Sequence, residues 1–259
     1  MIRALRFAAA AAIAVAAGCA SLGDRAAVES LAPGGALRAG LYPGTPTSIV
    51  GDPALPDAKG VGFDLGKALA ARAGVKFEPI VFPRNAEVLA AAKAGKVDMV
   101  FTNATPARHA DIDFSSPVFS VEQGYLVPEA SPIREASEVD RPGARVGVSA
   151  GSTSESLLTQ RLRNATVVRT ESLKEAVAML ASGRLDAFAT NKPTLFEMSD
   201  ELRGSRVLPG NYGVEVFAIG IPKGRSAALP FLDHFVDDAR AQGTIARAVE
   251  RAGLRGILP

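Results

Sequence analysis

Two stretches of this sequence align with each other without gaps: Glu87-Val-Leu-Ala-Ala-Ala-Lys-Ala-Gly-Lys-Val-Asp98-Met-Val-Phe-Thr-Asn103 and Glu175-Ala-Val-Ala-Met-Leu-Ala-Ser-Gly-Arg-Leu-Asp186-Ala-Phe-Ala-Thr-Asn191. Each begins with an alanine-rich helical pattern closed by a glycine. A basic residue, an apolar residue and an aspartate follow, and then a short apolar strand that ends in Thr-Asn. A helix, a glycine and a strand are common in α/β proteins and do not by themselves imply a repeat. The aspartates and the Thr-Asn pairs occupy identical offsets, which favours a duplicated unit.

Each copy is preceded by a further strand, helix and strand. The patterns predict strands over 36–41 and 76–82 around a helix over 63–73, and strands over 144–149 and 166–169 around a helix over 153–162. The chain is therefore predicted to be an α/β protein with two similar units. Ligands of open α/β sheets bind beyond the carboxyl ends of the strands, so the loops that follow these strands are the expected binding loops.

Five short motifs occur in order along the chain: Val61-Gly-Phe-Asp-Leu-Gly-Lys-Ala-Leu-Ala, Ala94-Gly-Lys-Val-Asp98, Thr105-Pro-Ala-Arg108, Asp113-Phe-Ser-Ser-Pro-Val-Phe119 and Gly147-Val-Ser-Ala-Gly-Ser-Thr153. Together they resemble the successive signatures of family 3 extracytoplasmic solute-binding proteins, the polar amino-acid-binding type. The resemblance runs from about residue 37 to residue 253. It implies the type II periplasmic binding protein fold, in which two similar α/β lobes are joined by two hinge strands and close around a ligand.

The residue patterns of the first 35 residues and, for the two lobes, the resemblance imply a division of the chain. We expect a signal peptide over 1–18, a tether over 19–35, the first part of lobe one over 36–126, lobe two over 127–217 and a return to lobe one over 218–259. Apolar runs that end before Pro128 and Pro222 fit the two hinge strands. Helices are predicted over 226–242 and 244–252.

The first eighteen residues have the pattern of an export signal, with Arg3 and Arg6 ahead of a short alanine-rich apolar run. The only cysteine, Cys19, follows Ala16-Ala17-Gly18 and resembles the lipid-modified cysteine of a bacterial lipobox. Ordinary cleavage near Ala20, which would discard Cys19, is the alternative. The expected location is the periplasm, with a possible lipid anchor through Cys19 as the link to the membrane.

The charge balance argues against a nucleic-acid partner. The chain has 29 Lys and Arg against 27 Asp and Glu, and removal of residues 1–18 takes away two arginines and no acid, which leaves 27 of each. No basic excess remains to bind a polyanion. With 47% hydrophobic residues and a single cysteine, the fold is expected to depend on apolar cores and not on an internal disulfide.

Arg108 is the leading candidate for ligand binding, since the resemblance makes it the arginine that pairs with a ligand carboxylate. A guanidinium presents two parallel donors to two oxygens and keeps its charge at any ordinary pH. The alternative is a structural ion pair with Asp111 or Asp113. His109, beside it, is interpreted as a surface residue.

A second candidate, Gly151-Ser152-Thr153, follows a predicted strand and opens a helix. Its amides and hydroxyls would face an anion at the positive end of the helix dipole. Ser152 and Glu155 also fit a capping box, which needs no ligand and would leave Thr153 and the amides free. With Arg108 on the other lobe, this segment would complete a carboxylate clamp on closure.

Further candidates lie at other strand ends. Tyr42 and Phe82 are expected either to wall the ligand or to pack in the core. Thr102 and Asn103 end the strand before Arg108 and are expected to offer polar contacts.

Asn191 departs from the family pattern. Members that take α-amino acids usually have an aspartate here, which pairs with the ligand ammonium, whereas this chain has Asn191 followed by Lys192. An amide lacks the charge that strengthens such a bond. We therefore expect a weaker preference for α-amino acids and better binding of deaminated acids, unless Glu122, Glu197 or Glu215 supplies the charge from another strand.

The expected function is the substrate-binding component of an ABC transporter, a monomer that binds a small carboxylate and passes it to a membrane permease. No cofactor, metal ligand set or catalytic residue is expected, because no metal-ligand cluster, nucleophile elbow or phosphate loop is found in the sequence. Two alternatives remain. One is a periplasmic enzyme similar to cyclohexadienyl dehydratase, and the other is the sensing subunit of a separate receptor.

Overall fold

The protein is described by a computed structural model that covers residues 22–258. The predicted signal peptide and Cys19 lie outside these residues. Before the first crossing between lobes, the chain forms the following elements: α1 (Leu22–Leu31), β1 (Ala36–Leu41), α2 (Val61–Ala73), β2 (Lys76–Val81), α3 (Asn85–Lys93), β3 (Met99–Asn103), β4 (Ile112–Phe114) and β5 (Phe119–Pro128).

The second lobe follows, and the chain then returns. The lobe contains β6 (Arg145–Ser149), α4 (Thr153–Arg161), β7 (Thr166–Thr170), α5 (Leu173–Ala181), β8 (Ala187–Asn191), α6 (Lys192–Glu201) and β9 (Ser205–Val207). The return consists of β10 (Gly213–Pro222), α7 (Leu229–Ala241), α8 (Thr244–Ala252) and β11 (Ile257–Leu258).

The duplicated unit is confirmed in both lobes. β1 pairs in parallel with β2 and β3, and β6 pairs in parallel with β7 and β8, so the order β2-β1-β3 corresponds to β7-β6-β8. The glycines that end α3 and α5, Gly95 and Gly183, both adopt the left-handed conformation, with φ of 66° and 67°. Glycine adopts this conformation without a steric penalty, which explains the matching glycines in the two stretches.

Two long antiparallel strands connect the lobes. β5 and β10 pair with each other over Phe119–Gln123 and Gly213–Phe217, while β10 also pairs with β3 and β5 with β8. The sheet is therefore continuous, in the order β2-β1-β3-β10-β5-β8-β6-β7. The predicted α/β fold with two lobes and two hinge strands is confirmed.

Each lobe has its own apolar core. On β5, Val121 belongs to the core of the first lobe and Tyr125 to a core of the second. On the return, Leu208 belongs to the second lobe and Phe217 to the first. The chain thus changes lobes within a few residues on both crossings, and the aligned pair of strands between the cores forms the connection.

The ends of the described chain pack onto this frame. The tether predicted for 19–35 is corrected over α1, whose last residue, Leu31, is fully buried in the core of the first lobe. At the other end, β11 pairs with β5, and Arg255 reaches α6, where it contacts Asp200 at 2.6 Å and lies over the Phe196 ring at 4.9 Å. The C-terminal segment therefore touches both lobes.

Candidate ligand-binding site

A cavity of about 530 Å³ lies between the two lobes, at the carboxyl ends of the parallel strands. Its volume falls within the range of about 300 to 1,000 Å³ that is typical of small-molecule sites. Eight of the nine predicted ligand-binding residues line it: Tyr42, Thr102, Asn103, Arg108, Gly151, Ser152, Thr153 and Asn191.

Arg108 is held by the end of β3. Its Nη1 donates to Thr102 Oγ1 at 2.7 Å and to the carbonyl of Asn103 at 3.0 Å. The hydrogen bonds of this side chain within residues 22–258 all use Nη1, so Nε and Nη2 remain available to a ligand. The structural ion pairs considered for Arg108 are absent from this part of the chain, because Asp111 pairs with Lys93 and Asp113 with Lys223.

The start of α4 faces the same cavity, and it is partly used by the protein itself. Ser152 Oγ caps the helix by accepting from the Glu155 amide at 3.1 Å, as predicted. The Gly151 amide donates to Glu155 Oε2 at 2.6 Å, which corrects the prediction that this amide would be free for an anion. The amides of Thr153 and Ser154, which have no acceptor within a helix at these positions, are the donors left for a ligand.

Glu215, on the crossing strand β10, is the buried acid of the cavity. It is 8% exposed, and its Oε1 accepts from Asn103 Nδ2 at 2.9 Å, Gln123 Nε2 at 3.0 Å and Thr153 Oγ1 at 2.5 Å. Burial raises the pKa of Glu215 above its ordinary value, against the opposing effects of its hydrogen bonds and of Arg108. Burial likewise lowers the pKa of Arg108, and the charge of Glu215 opposes that change.

Asn191 lines the cavity but has a second role as the cap of α6. Its Oδ1 accepts from the Thr194 amide at 3.1 Å, and its Nδ2 lies 3.5 Å from Glu215 Oε2. Lys192, the possible source of positive charge, is instead paired with Glu122. The buried acid therefore reaches the site from the hinge strand and not from the end of β8.

The two aromatic candidates have different positions. Tyr42 borders the cavity, and burial raises its pKa to about 12, so its hydroxyl stays protonated at ordinary pH. Phe82 packs with Ile80 and Leu89 against an apolar cluster of the first lobe and is not among the cavity-lining residues of the described chain. Its assignment as a wall of the ligand is therefore corrected to core packing.

The lobes touch across the cavity. Thr45 Oγ1 lies 2.8 Å from Thr194 Oγ1, Asn103 Nδ2 lies 3.1 Å from Thr153 Oγ1, and Arg84 forms an ion pair with Glu171. Each of these contacts joins the first lobe to the second, so this is a closed arrangement. The cavity is consequently enclosed by both lobes, as a ligand clamp requires.

Some common features of other protein classes are not seen in residues 22–258. No group of three or more His, Cys, Asp or Glu side chains there is placed to hold a metal ion. Across the same range, every helix falls short of the length and apolar character that a bilayer span needs. Both histidines, His109 and His234, are exposed.

Sequence patterns left the role of Glu215 open and did not identify Gln123 at all. Gln123, 3% exposed on β5, donates to Glu215 and fixes it from the other crossing strand. The available signal was a polar residue within each crossing strand, Glu215 in the apolar run of β10 and Gln123 beside Glu122 in β5. Such a residue must face either solvent or the cleft, and the strand pattern alone does not say which.

The fold and the site together define a two-lobed binding protein that encloses a small ligand between its lobes. The chain belongs to the bacterial extracellular solute-binding proteins, family 3, whose family model matches residues 37–253. This confirms the family resemblance found in the sequence motifs.

Individual relatives agree with this family. The chain is 30% identical to the ABC transporter glutamine-binding protein GlnH of Bacillus subtilis (strain 168) over 135 residues, which cover 51% of this chain and 49% of the relative. It spans about half the length of the curated relatives it matches. Among solved structures, an ancestral arginine-binding protein bound to glutamine is 28% identical with a TM-score of 0.74, covering 84% of this chain and 97% of that one. An ancestral amino-acid-binding protein, a precursor of cyclohexadienyl dehydratase, is 27% identical with a TM-score of 0.73, covering 86% and 97%.

Proposed function

We propose that this chain is the extracytoplasmic substrate-binding component of an ABC transporter, and that it binds a small carboxylate such as a polar amino acid or a related organic acid. The observation that carries the proposal is Arg108. Its guanidinium is anchored through one nitrogen and faces a closed cavity opposite the start of α4. A planar fork and a helix N-terminus on opposite walls are complementary to one carboxylate.

The relatives support the ligand class and the partner. One is named as a glutamine-binding protein of an ABC transporter, and a structure 28% identical to this chain holds glutamine. A small polar ligand and a membrane permease are therefore the partners proposed for this chain. The protein is proposed to act as a monomer.

The proposal is tested by calorimetry with a panel of standard L-amino acids and organic acids. Removing one member of a buried charge pair typically costs about 2 to 5 kcal/mol, or roughly 30-fold to several thousand-fold in affinity. Arg108→Ala should therefore nearly abolish binding, and Arg108→Lys should weaken it by loss of the fork. Arg134→Ala, a change at an exposed arginine, is the matched control. Unchanged affinity in both Arg108 variants would remove the support for a carboxylate ligand.

The domain division and hinge closure are part of the same proposal. Lobe one is assigned to residues 36–126 and 218–259 and lobe two to residues 127–217, with movement at the crossing strands. At these boundaries the core packing differs slightly, since Tyr125 already packs in the second lobe and Phe217 already packs in the first. Small-angle scattering should show a larger radius of gyration without ligand than with it. Equal radii in the two states would contradict closure.

The location is proposed from the first residues of the sequence. An export signal over 1–18 and lipid modification of Cys19 would hold the protein outside the cytoplasmic membrane. In a Gram-negative host, fatty-acid labelling of the full chain should be lost in Cys19→Ser. An unlabelled full chain would instead favour a periplasmic protein without an anchor.

Catalysis is a second candidate with one observation in its favour. Glu215 is a buried acid with a raised pKa beside Arg108, which is a suitable setting for proton transfer. A relative is the precursor of a cyclohexadienyl dehydratase. Incubation with prephenate and with arogenate tests this directly. Turnover that is lost in both Arg108→Ala and Glu215→Gln would establish an enzyme in place of a binding protein.

A further inference from the structure

The two oxygens of Glu215 have different surroundings. Oε1 accepts three hydrogen bonds, from Asn103, Gln123 and Thr153, which fill its capacity. Oε2 has one contact within the described residues, from Asn191 Nδ2 at 3.5 Å, which is at the limit of a hydrogen bond. The carboxylate is thus fixed through one oxygen, while the other is left to a donor from the cavity.

The charges of the cavity fall into an inner and an outer group. The inner charges are Arg108, which is half-buried, and Glu215, which is buried, and each affects the pKa of the other. The outer charges are engaged with one another or exposed: Arg84 pairs with Glu171, Glu197 with Arg255, and Lys174 and Glu201 are exposed. The interior therefore presents one cation and one anion to a ligand.

A ligand with a single carboxylate would satisfy only half of this arrangement. It would pair with Arg108 and leave Glu215 buried and opposite another negative group, which is costly in a site closed to water. A ligand that carries both a carboxylate and an ammonium would satisfy both residues. The buried charges are thus complementary to a zwitterion.

We propose that Glu215 receives the ammonium group of the ligand through Oε2, so that the hinge strand supplies the charge that Asn191 lacks. This rests on the proposed function, in which Arg108 binds the ligand carboxylate. It makes the ligand an α-amino acid and replaces the expectation that deaminated acids bind better. Asn191 then acts as a neutral cap that helps to position Glu215.

The test uses matched pairs of ligands. A thermal-shift screen of the standard L-α-amino acids and their 2-hydroxy analogues selects the pair for calorimetry. The wild type should bind the amino acid at least about 30-fold more tightly than its hydroxy analogue, in line with the loss of a buried charge pair. Glu215→Gln should remove most of that preference and bring the two affinities to within about threefold of each other. Far-UV circular dichroism and the melting temperature of each variant serve as the folding control.

A second variant moves the charge within the site. Asp caps a helix as well as Asn does, so Asn191→Asp keeps α6 in place and adds a carboxylate near Oε2. The double variant Asn191→Asp with Glu215→Gln should bind the amino acid at least about tenfold more tightly than Glu215→Gln alone. If the double variant binds the amino acid no more tightly than Glu215→Gln, Glu215 is a structural residue and the inference is overturned. The same conclusion follows if Glu215→Gln lowers the affinity for both ligands equally.

The outcomes separate this inference from the proposed function. Binding of the hydroxy analogue as tightly as the amino acid would overturn the role of Glu215 and leave a carboxylate-binding protein. If neither ligand class binds, or if binding survives in Arg108→Ala, the proposed function itself fails and the inference fails with it.

Discussion

The two copies of the repeated unit use the same ion pair in different surroundings. In the first lobe, Arg38 donates from Nε and Nη2 to Asp98, and Nη2 also bonds the carbonyl of Gly95. In the second, Arg145 makes the same contacts with Asp186 and the carbonyl of Gly183. The side chain of Asp98 is only 1% exposed, whereas that of Asp186 is 38% exposed.

Asp98 also has a partner that the second copy lacks. Arg225, from the segment that returns to the first lobe, donates to Asp98 Oδ1 at 2.6 Å. The aspartate thus ties the repeated unit of lobe one to the return segment, 127 residues later in the chain. The comparison shows that an identical motif can be a buried junction in one lobe and a half-exposed surface pair in the other.

At the other end of the repeat, the two matching asparagines contact the same residue. Asn103 and Asn191, at identical offsets, both direct Nδ2 to Glu215. Asn103 does so at 2.9 Å from the first lobe, and Asn191 at 3.5 Å from the second. The duplication therefore places matching amides on both sides of the hinge strand, with the buried acid between them.

The largest expected effect is the difference in stability lost when Asp98 and Asp186 are each replaced by asparagine. Asp98→Asn leaves Arg38 and Arg225 without their buried acid and should lower the unfolding free energy by about 3 to 5 kcal/mol. Asp186→Asn breaks a pair that solvent screens and should cost about 1 kcal/mol or less. Urea unfolding of both variants measures the difference. Equal losses would show that the buried position of Asp98 has no energetic consequence.

A second prediction concerns Glu215, which both asparagines contact, and the effect of pH on ligand binding. Glu215 has a raised pKa, so acidification should protonate it and weaken the binding of an amino acid, by up to about tenfold per pH unit. Because burial raises this pKa, the loss should begin above pH 4.5, the ordinary value for a glutamate. Arg108, Tyr42 and Tyr212 also interact with Glu215, and the two tyrosines stay neutral in this range because burial raises their pKa.

Protonation of Glu215 does not destabilise the fold. A carboxyl with a raised pKa in the folded state favours folding when protonated, and that contribution is lost as the pH rises through the raised value. The acid effect on binding is thus distinct from unfolding. Glu215→Gln should bind with a flat profile between about pH 5 and 7. A profile that keeps the slope of the wild type would assign the effect to another group.

The smallest expected effect compares the helices of the two repeats. α5 has a cap, since Ser172 Oγ accepts from the Glu175 amide at 3.1 Å, whereas Arg84, at the cap position before α3, makes no side-chain cap hydrogen bond. Ser172→Ala should lower the unfolding free energy by about 1 kcal/mol. Arg84→Ala should cost less, about 0.5 kcal/mol, because the side chains of its ion-pair partners, Glu87 and Glu171, are 39% and 69% exposed and solvent screens both pairs. Thermal unfolding under identical conditions checks the order, and a larger loss at Arg84 would reverse it.

Much of the fold follows from local sequence patterns. β1 and α8 have the predicted bounds, and the repeat correctly located α3, β3, α5 and β8. The start of α2 was predicted two residues late, at Phe63, because its first amides are held from a distant loop. Val61 N donates to Pro46 O and Gly62 N to Thr47 O, and contacts of this kind leave no local signal.

The site was predictable where one segment carries the chemistry. Arg108 and the start of α4 each belong to a single short motif, and both line the cavity. Glu215 could be identified only as one of three possible acids, since its partners come from four separate elements of the chain. The partners of Asp98 and Asp186 were also missed. Arg38 lies 60 residues before Asp98 and Arg145 only 41 before Asp186, so the gapless alignment does not connect them.

The C-terminal segment offers a position for an optical reporter. α8 packs in the first lobe, but Arg255 contacts α6 of the second lobe and β11 lies on the crossing strand β5. A change in the angle between the lobes would alter the surroundings of this segment, which lies outside the ligand cavity. An environment-sensitive dye at residue 255 would therefore convert the proposed closure of the lobes into a fluorescence change, with the loss of the outer ion pair to Glu197, and the protein would become a sensor for its own ligand.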